Sequence, residues 1–278
     1  MDSDISHVIL TRFNMATGGR EVAIRSNPDW LKRRFELFER YCLSSVAAQT
    51  FQDFEWIIFF DKDSPEWVWD RVASLQKVRH FHVNAEPLFG AEGWGNATRR
   101  VLGEIAGPRL LVTSNLDNDD AIARDYMERL NASVRQNMTR QTPFAVNFLN
   151  GIISAEGHVY RIRHKRCAFT NVVERYGPDA RTCNVYQHMF LHRDMPIVQE
   201  ENDSAWIQIV HGTNVSNKIR GRLFSPADMI DVPFAFEQAP KTPSRLEVLA
   251  DALLLHPLRS LRDELANAKN AIQRAKRT

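Results

Sequence analysis

The sequence predicts an α/β fold, in which a mixed central sheet is flanked by helices and is followed by a C-terminal helical extension. Short apolar runs alternate with helical patterns through the N-terminal half, which is typical of such a sheet. Aspartate-rich turns follow two of these runs, where open α/β sheets bind their ligands. Of the 278 residues 44% are hydrophobic and 25% are charged, so the chain can bury a large core.

The first elements follow from periodicity and capping. A short strand is predicted over 7–10, and a helix begins at Asn27-Pro28, because Asn caps helices and Pro suits their first position. Apolar residues three and four apart define one face of that helix: Leu31, Phe35, Phe38, Cys42 and Val46. The apolar run 54–60 indicates a buried strand, Ser64-Pro65 opens a second helix, and 78–83 indicates a third strand.

The remaining elements are less regular. A loop is predicted over 84–95, a helix over 96–105, a strand over 109–113 and a helix over 121–138. Strands and turns follow over 144–173, punctuated by Gly151 and Gly157, and 206–210 indicates a late strand. Helices broken near His256-Pro257 are expected from about 244 to the C-terminus.

Composition argues against several classes of protein. The net charge of +2 is too balanced for general binding to nucleic acid, which favours a basic surface. The cysteines Cys42, Cys167 and Cys183 form no C-x-x-C pair, so free thiols in a reducing compartment are expected. No run approaches the roughly 20 apolar residues of a membrane span, and the N-terminus lacks the basic region of a signal peptide. We therefore expect a cytoplasmic protein.

Three Asp-x-Asp pairs are candidate sites for a divalent cation and a diphosphate, because Mg²⁺ and Mn²⁺ prefer oxygen ligands. Asp2 and Asp4 lie in the N-terminal segment and are set aside. Asp61 and Asp63 follow a predicted strand, where they can either accept hydrogen bonds from a ribose or base or cap the next helix. Asp117 and Asp119 follow a strand and precede a helix, in a turn that we expect to be exposed. This last pair is the preferred site.

Several stretches resemble family 2-type glycosyltransferases. CLSSVAAQTFQDFEWIIFFDKDSP is similar to their opening, and GWGNATRRVLGEIAGPRLLVTSNLDNDDAI to their next block. The particular forms TRFN, SNLDNDDA and WIQIVHGTNVSN resemble the putative rhamnosyltransferase family over roughly 7–220. The resemblance implies a GT-A fold and a metal-dependent enzyme that transfers a sugar from a nucleoside-diphosphate sugar to a glycan or another hydroxyl acceptor.

The resemblance also implies roles for individual residues. Asp117 and Asp119 would hold Mn²⁺ or Mg²⁺ and the diphosphate, and a late histidine would complete the metal site, with His211 preferred over His188 and His192. Asp203, or failing that Glu201, would be the general base of an inverting transfer. The nucleotide would lie against the following residues: Thr11, Arg12, Phe13, Asp61 or Asp63, Asn96, Arg99, Arg100 and Asp117.

The expected organisation is a GT-A domain over 1–243, with a nucleotide-sugar half at 1–120 and an acceptor half at 121–243. A basic amphipathic tail occupies 244–278. Residues 241–278 carry eight basic and four acidic side chains, which favours peripheral contact with a membrane that presents a lipid-linked acceptor. Leu246, Leu249, Leu253 and Leu254 would supply its apolar face, although that face can equally cover the domain.

Two other functions are compatible with the same residues. One is a non-catalytic module that binds a sugar nucleotide or a glycan. The other is a nucleotidyltransferase, for which Gly18-Gly19-Arg20 is a faint match to the expected glycine-rich loop. Release of a nucleoside diphosphate rather than pyrophosphate separates the transferase from the last alternative.

Overall fold

The computed structural model describes residues 4–15, 27–86, 92–103, 109–201, 203–212, 218–229 and 232–262. Asp2, the Gly18-Gly19-Arg20 segment and the basic residues beyond 262 lie outside the described residues. The structure is a mixed α/β fold with flanking helices, as the sequence predicts, and a second, smaller sheet accompanies the predicted central sheet.

The larger sheet has seven strands in the order β10-β6-β9-β4-β1-β2-β3. Strands β1, β2, β3 and β4 are parallel to one another, and β9 runs antiparallel between β4 and β6. The strands are β1 (Ile5–Arg12), β2 (Glu55–Phe59), β3 (His82–Asn84), β4 (Leu110–Asn115), β6 (Phe144–Phe148), β9 (Asn171–Arg175) and β10 (Ile197–Glu200).

The smaller sheet has five strands in the order β12-β8-β7-β11-β5. They are β5 (Ala121–Ile122), β7 (Asn150–Ala155), β8 (His158–Arg163), β11 (Trp206–Val210) and β12 (Arg222–Phe224). Strands β7 and β8 are joined by a two-residue turn, Glu156-Gly157, with positive φ angles of 54° and 76°. This geometry suits a tight hairpin, because its twist matches that of the strands.

The helices flank the sheets, and the last helix follows the final strand β12 in the chain. Helix α1 runs through Pro28–Leu37, a π-helical turn Phe38–Leu43, and Ser44–Ala47. The others are α2 (Glu66–Leu75), α3 (Glu92–Leu102), α4 (Tyr126–Gln136), α5 (Leu191–Asp194) and α6 (Arg245–Ala250). Helix α6 continues as a π-helical segment Asp251–Leu255 and as α-helix over 256–262.

The N-terminus of α1 confirms the capping argument. Asn27 accepts hydrogen bonds from the backbone N–H groups of Asp29 and Trp30, and Pro28 is the first helical residue. All five residues of the predicted apolar face are buried, and they pack against β1 and β2. Burial of each such side chain contributes about 1.5–3 kcal/mol, which fixes the helix on the sheet.

Several predicted boundaries are corrected. Strand β3 is confined to His82–Asn84, because 76–79 form a turn after α2. Ala121 and Ile122 pair with β11 as a strand, so the helix predicted over 121–138 starts only at Tyr126. The predicted break near Pro257 is also wrong. The π-helical turn before Pro257 widens the helix, which relieves the clash that a proline makes with the preceding turn.

The C-terminal helix is held to the body by its charged side and not by its leucines. Asp251 is buried and accepts a hydrogen bond from the backbone N–H of Leu223 at 2.9 Å and one from Arg259 at 2.5 Å. The four leucines of the predicted apolar face are instead 55–78% exposed. The alternative in which these four leucines cover the domain is therefore wrong. Within the described residues, no helix is long and apolar enough to cross a bilayer.

Candidate active site at the carboxyl end of β4

Residues 117–120, here called the aspartate turn, follow β4 at the carboxyl edge of the larger sheet. Asn118 joins this turn to the end of β1, because its Nδ2 donates to the carbonyl oxygens of Arg12 and Phe13 at 2.9 and 2.8 Å. Asp120 accepts the backbone N–H of Ile209 at 2.9 Å and thereby joins the turn to β11. The turn thus bridges the two sheets.

Asp119 is the most strongly held carboxylate of the turn. Arg34 of α1 donates to Asp119 Oδ2 at 2.5 Å, and His211 Nε2 lies 2.9 Å from the same oxygen. The side chains of Arg34 and Asp119 are each only 8% exposed. Burial would raise the pKa of Asp119, but the hydrogen bond from His211 and the charge of Arg34 outweigh burial and lower that pKa. Asp119 is therefore a buried, ionised carboxylate.

Asp117 is the accessible carboxylate of the turn. Its side chain is 37% exposed, and its Oδ1 lies 3.7 Å from a guanidinium nitrogen of Arg12. Desolvation raises the pKa of Asp117, while the charge of Arg12 opposes that effect. Asp117 is consequently the member of the pair that a ligand can reach directly. The expectation of an exposed turn holds for Asp117 and is wrong for Asn118, Asp119 and Asp120, which are buried.

Arg34 is a site residue that the sequence argument missed. It lies on the buried stripe of α1, three residues after Leu31 and four before Phe38. A single arginine on an otherwise apolar stripe indicates a buried charge that needs a partner, because an unpaired buried charge is costly. That pattern was the available signal.

The Gln49-Thr50 pair fixes the segment that follows the aspartate turn. Gln49 is buried, and its side chain donates to the carbonyl oxygen of Ala123 at 2.7 Å and accepts the backbone N–H of Met127 at 3.0 Å. The backbone N–H of Thr50 donates to the carbonyl oxygen of Arg124 at 2.9 Å. The end of α1 therefore positions the start of α4 and, through it, the turn.

The predicted nucleotide residues of the first strand divide into two groups. Arg12 is exposed at the site. Thr11 and Phe13 were expected to line the pocket, but both side chains are in the core. Thr11 accepts the indole N–H of Trp56 at 2.9 Å, and Phe13 stacks on Phe60 with ring centroids 4.9 Å apart. Their side chains support the strand rather than contact a ligand.

The turn after β2 lies at the same edge of the sheet. Asp61 accepts the backbone N–H of Asp63 at 3.1 Å, and Asn14 connects this turn to β1 by donating to Ser64 Oγ at 2.9 Å. Neither aspartate caps α2, whose N-cap is Pro65 without a side-chain hydrogen bond. Asp63 is exposed and pairs with Lys62 at 2.6 Å.

Helix α3 supplies the other predicted nucleotide residues. Arg100 pairs with Glu86 at 2.6 Å and donates to Asn84 at the carboxyl end of β3. Arg99 donates to Asn96 and to the carbonyl oxygen of Pro178, the latter at 2.8 Å. Arg99 and Asn96 thus join α3 to the segment after β9.

The two candidate general bases, Asp203 and Glu201, both lie in the segment between β10 and β11. Asp203 is exposed before the start of β11, where its carbonyl oxygen accepts from Arg129. His211 follows the other end of β11, so roughly 20 Å of strand separates Asp203 from the aspartate turn. Glu201 is only two residues before Asp203, so about the same length of strand separates both from the turn, and the role of either as general base stays a prediction. Glu201 directly follows β10 at the carboxyl edge of the larger sheet, and it pairs with Arg163 at 2.6 Å.

The donor set of the turn fits a divalent cation that shares its coordination with a substrate. Within the described ranges, no group of three or more His, Cys, Asp or Glu side chains forms a ready metal site. Mg²⁺ is usually held by one or two carboxylates together with substrate phosphates. Asp117 and Asp119 supply that number of hard oxygen ligands, and His211 is in contact with Asp119. His188 and His192 do not contact the turn through any hydrogen bond among the described residues, although His192 contacts Arg166.

The comparisons with known proteins identify the family. The model of the family described as "Putative rhamnosyl transferase" matches residues 6–223. The chain belongs to this family. The membership confirms the predicted family and the predicted glycosyltransferase class. It covers both sheets and ends within β12, so the C-terminal helix lies outside the matched range.

The structural likenesses are more distant. S. aureus TarS 1-349 in complex with UDP-GlcNAc aligns with 12% identity and a TM-score of 0.45, over 78% of this chain and 62% of that one. The complex with UDP aligns with 11% identity and a TM-score of 0.44, over 74% of this chain and 60% of that one. A putative nucleotide-diphospho-sugar transferase from Desulfovibrio desulfuricans G20 aligns with 12% identity and a TM-score of 0.37, over 73% and 82%. The chain therefore spans about three fifths of the TarS fragment. No curated protein matches by sequence.

Proposed function

We propose that the protein is a metal-dependent glycosyltransferase that uses a nucleoside-diphosphate sugar and transfers the sugar to a hydroxyl acceptor. The observation that supports this most is the aspartate turn itself. One accessible and one buried carboxylate lie together at the carboxyl end of β4, with Arg12 beside Asp117. Family membership supports the reaction class, and the position of the turn at the carboxyl edge of the sheet supports the proposal that the diphosphate binds there.

Asp117 and Asp119 would hold Mn²⁺ or Mg²⁺. A cation bound there would stabilise the negative charge that develops on the leaving diphosphate. Arg34 and His211 keep Asp119 ionised and oriented, because both contact Oδ2. Arg12 places a further positive charge at the same edge, 3.7 Å from Asp117.

The nucleotide is proposed to lie across the carboxyl ends of β1, β2 and β3. Asp61 and Arg100 are at that edge, and the backbone around Thr11 and Phe13 supports it. Asp203, or failing that Glu201, is the proposed general base for the acceptor hydroxyl. The carboxylate of Glu201 pairs with Arg163, and Glu201 follows the strand at the far end of the same edge.

A nucleotide-binding experiment tests the donor site. Thermal shift with UDP, GDP, CDP and dTDP in the presence of Mn²⁺ should identify one stabilising nucleotide, since a ligand at 100 times its dissociation constant adds about 2.7 kcal/mol. Asp117→Asn should remove that shift, because it removes the negative charge of a proposed ligand without creating a cavity in the core. Asp70→Asn, an exposed change of the same type on α2, is the control. Equal shifts in Asp117→Asn and wild type would contradict the proposed site.

We further propose that the C-terminal helix contacts an anionic membrane surface. Its leucines face away from the body because Asp251 and Arg259 hold the opposite side, and 241–278 carries a net charge of +4. Each basic residue near an anionic leaflet contributes about 1 kcal/mol. The expected acceptor is then a glycan carried on a lipid in the same surface.

Vesicle sedimentation tests the membrane contact. Leu253→Gln with Leu258→Gln should reduce binding to vesicles that contain phosphatidylglycerol, with little change in melting temperature because both side chains are exposed by more than 60%. Val78→Gln, which is 64% exposed on the main body, is the matched control. Undiminished vesicle binding, or a concentration-dependent dimer that the leucine variant abolishes, would contradict the membrane role.

A further inference from the structure

A large cavity outside the aspartate turn is lined by basic side chains. Its volume is about 880 Å³, and it lies between the end of β8, the segment 218–224 and the C-terminal helix. Six of its lining residues are arginine or lysine, two are histidine, and none is aspartate or glutamate. The six are Arg161, Arg163, Lys218, Arg220, Arg222 and Arg259.

The cavity keeps a surplus of positive charge after its ion pairs are counted. Arg163 pairs with Glu201 at 2.6 Å, and Arg259 pairs with Asp251 at 2.5 Å. Within the described part of the chain, Arg161, Lys218 and Arg222 form no ion pair, so three positive charges converge on one space even without Arg220. Such convergence is unfavourable in the absence of an anion, because like charges repel.

Several of these groups are oriented before any ligand binds. Arg161 donates to the carbonyl oxygen of Asp228 at 3.2 Å and lies 4.7 Å from the centre of the Phe224 ring. Arg259 donates to the carbonyl oxygen of Gly221 at 3.0 Å and lies over the ring of Tyr160. Guanidinium groups held in this way bind phosphate oxygens with little loss of conformational entropy.

The histidines at the cavity are neutral at physiological pH and can act as hydrogen-bond donors. Burial, together with the nearby charge of Arg220, lowers the pKa of His164 to about 4. Burial also lowers the pKa of His256, with Arg222 and Arg259 contributing. The positive charge of the cavity therefore comes from its arginines and lysine.

A charge at the cavity and a charge beside the aspartate turn both act on His188. His188 immediately precedes the cavity residue Met189, and its pKa is lowered by burial and by the charges of Arg220 and Arg12. Arg12 in turn lies 3.7 Å from Asp117. The cavity residues come from the acceptor half, which follows the aspartate turn in the chain, and from the C-terminal helix.

We propose that this basic cavity binds a phosphate group of the acceptor substrate. That the phosphate belongs to an acceptor substrate rests on the proposed glycosyltransferase function, whereas phosphate binding itself depends only on the cavity. A surplus of three positive charges suits a dianionic phosphate or a diphosphate better than a single carboxylate. The phosphate can belong to a lipid headgroup or to a soluble phosphorylated sugar.

Calorimetric titration with glucose 6-phosphate, and with glucose as the uncharged control, tests phosphate binding. The variant Lys218→Gln with Arg222→Gln changes two exposed cavity cations. It should weaken glucose 6-phosphate binding by at least about tenfold, because removing one hydrogen bond to a charged group weakens binding by on the order of tenfold. Lys77→Gln with Arg140→Gln removes two exposed cations outside the cavity and should bind like wild type. Equal affinity in the cavity variant and the control variant would overturn the proposal.

Two further measurements separate the possible outcomes. Vesicles with and without phosphatidic acid distinguish the two sources of the phosphate. If glucose 6-phosphate competes with the vesicles for wild type, both the lipid and the sugar phosphate reach the cavity. Binding of either ligand by wild type that the cavity variant loses supports the proposal. Mn²⁺-dependent nucleotide binding should be unchanged in the cavity variant. If no nucleotide binds to any variant while glucose 6-phosphate binding follows the cavity charges, the proposed function fails and the phosphate site stands. If Lys218→Gln with Arg222→Gln does not fold, Lys218→Gln alone must show the loss.

Discussion

The ion pair between Arg34 and Asp119 should be a large contributor to the stability of the site. Both side chains are 8% exposed and 2.5 Å apart, so Arg34→Met leaves a buried carboxylate with His211 as its main remaining partner. Removing one member of a buried pair costs about 3–5 kcal/mol. Because His211 still contacts Asp119, we expect the lower end of that range, about 3 kcal/mol.

A more exposed ion pair with the same shortest distance provides the control. Arg71 and Glu39 are also 2.5 Å apart, but their side chains are 48% and 27% exposed. Exposed pairs contribute about 0.2–1 kcal/mol, so Arg71→Met should cost less than about 1 kcal/mol. The two substitutions are chemically identical and should differ by about 2 kcal/mol or more.

Urea unfolding at pH 7 measures both free energies, with equal slopes required for the comparison. In an Asp119→Asn background the charge is absent, and Arg34→Met should cost only about 1 kcal/mol, so the cycle should give a coupling of about 2 kcal/mol. The pKa of Asp119 is lowered in the folded state, so its contribution is present above the unfolded pKa and is lost as pH falls through the folded pKa. Equal costs for Arg34→Met and Arg71→Met, or a coupling below about 0.5 kcal/mol, would refute this reasoning.

Three further predictions follow from individual side chains. Asp203→Asn, or failing that Glu201→Gln, should lower the transfer rate by roughly 10²-fold or more with nucleotide affinity unchanged, as expected for a general base; a weaker nucleotide affinity at an unchanged rate would contradict that role. Burial lowers the pKa of His7 to about 4 in the folded state, so the unfolded state binds more protons than the folded state between pH 6.5 and 4. The free energy of unfolding should therefore fall by up to about 3 kcal/mol as the pH is lowered through this range. His7→Gln should flatten that pH dependence, which melting at several pH values measures. Thr182 has φ 70° and ψ 163°, a region that favours glycine, and its buried hydroxyl has no hydrogen-bond partner among the described residues. Thr182→Gly should therefore raise the free energy of unfolding by about 1 kcal/mol. A free energy of unfolding below that of wild type would show that the strain argument is wrong.

The sheet and the aspartate turn were predictable because local signals agree with the final packing. The apolar stripe of α1, the capping pair Asn27-Pro28 and the run before Asp61 each specify one element. Boundaries failed where tertiary contacts override local pattern. Ala121 and Ile122 continue a helical pattern in sequence, yet pairing with β11 makes them a strand.

The composition of the site was less predictable than its position. Arg34 reaches Asp119 from a helix 85 residues away in sequence, and the basic cavity collects residues from β8, 218–222 and the C-terminal helix. Such contacts depend on three-dimensional packing and not on spacing.

The central claim is that the Asp117–Asp119 turn holds a divalent cation and the diphosphate of a sugar donor. Product analysis with a panel of nucleoside-diphosphate sugars and an acceptor-bearing membrane extract tests it most directly, in wild type, Asp117→Asn and the control Asp70→Asn. The account predicts release of a nucleoside diphosphate by wild type and Asp70→Asn with Mn²⁺ or Mg²⁺, and loss of that release on chelation or in Asp117→Asn. Undiminished release after chelation and in Asp117→Asn, or release of pyrophosphate, would contradict it.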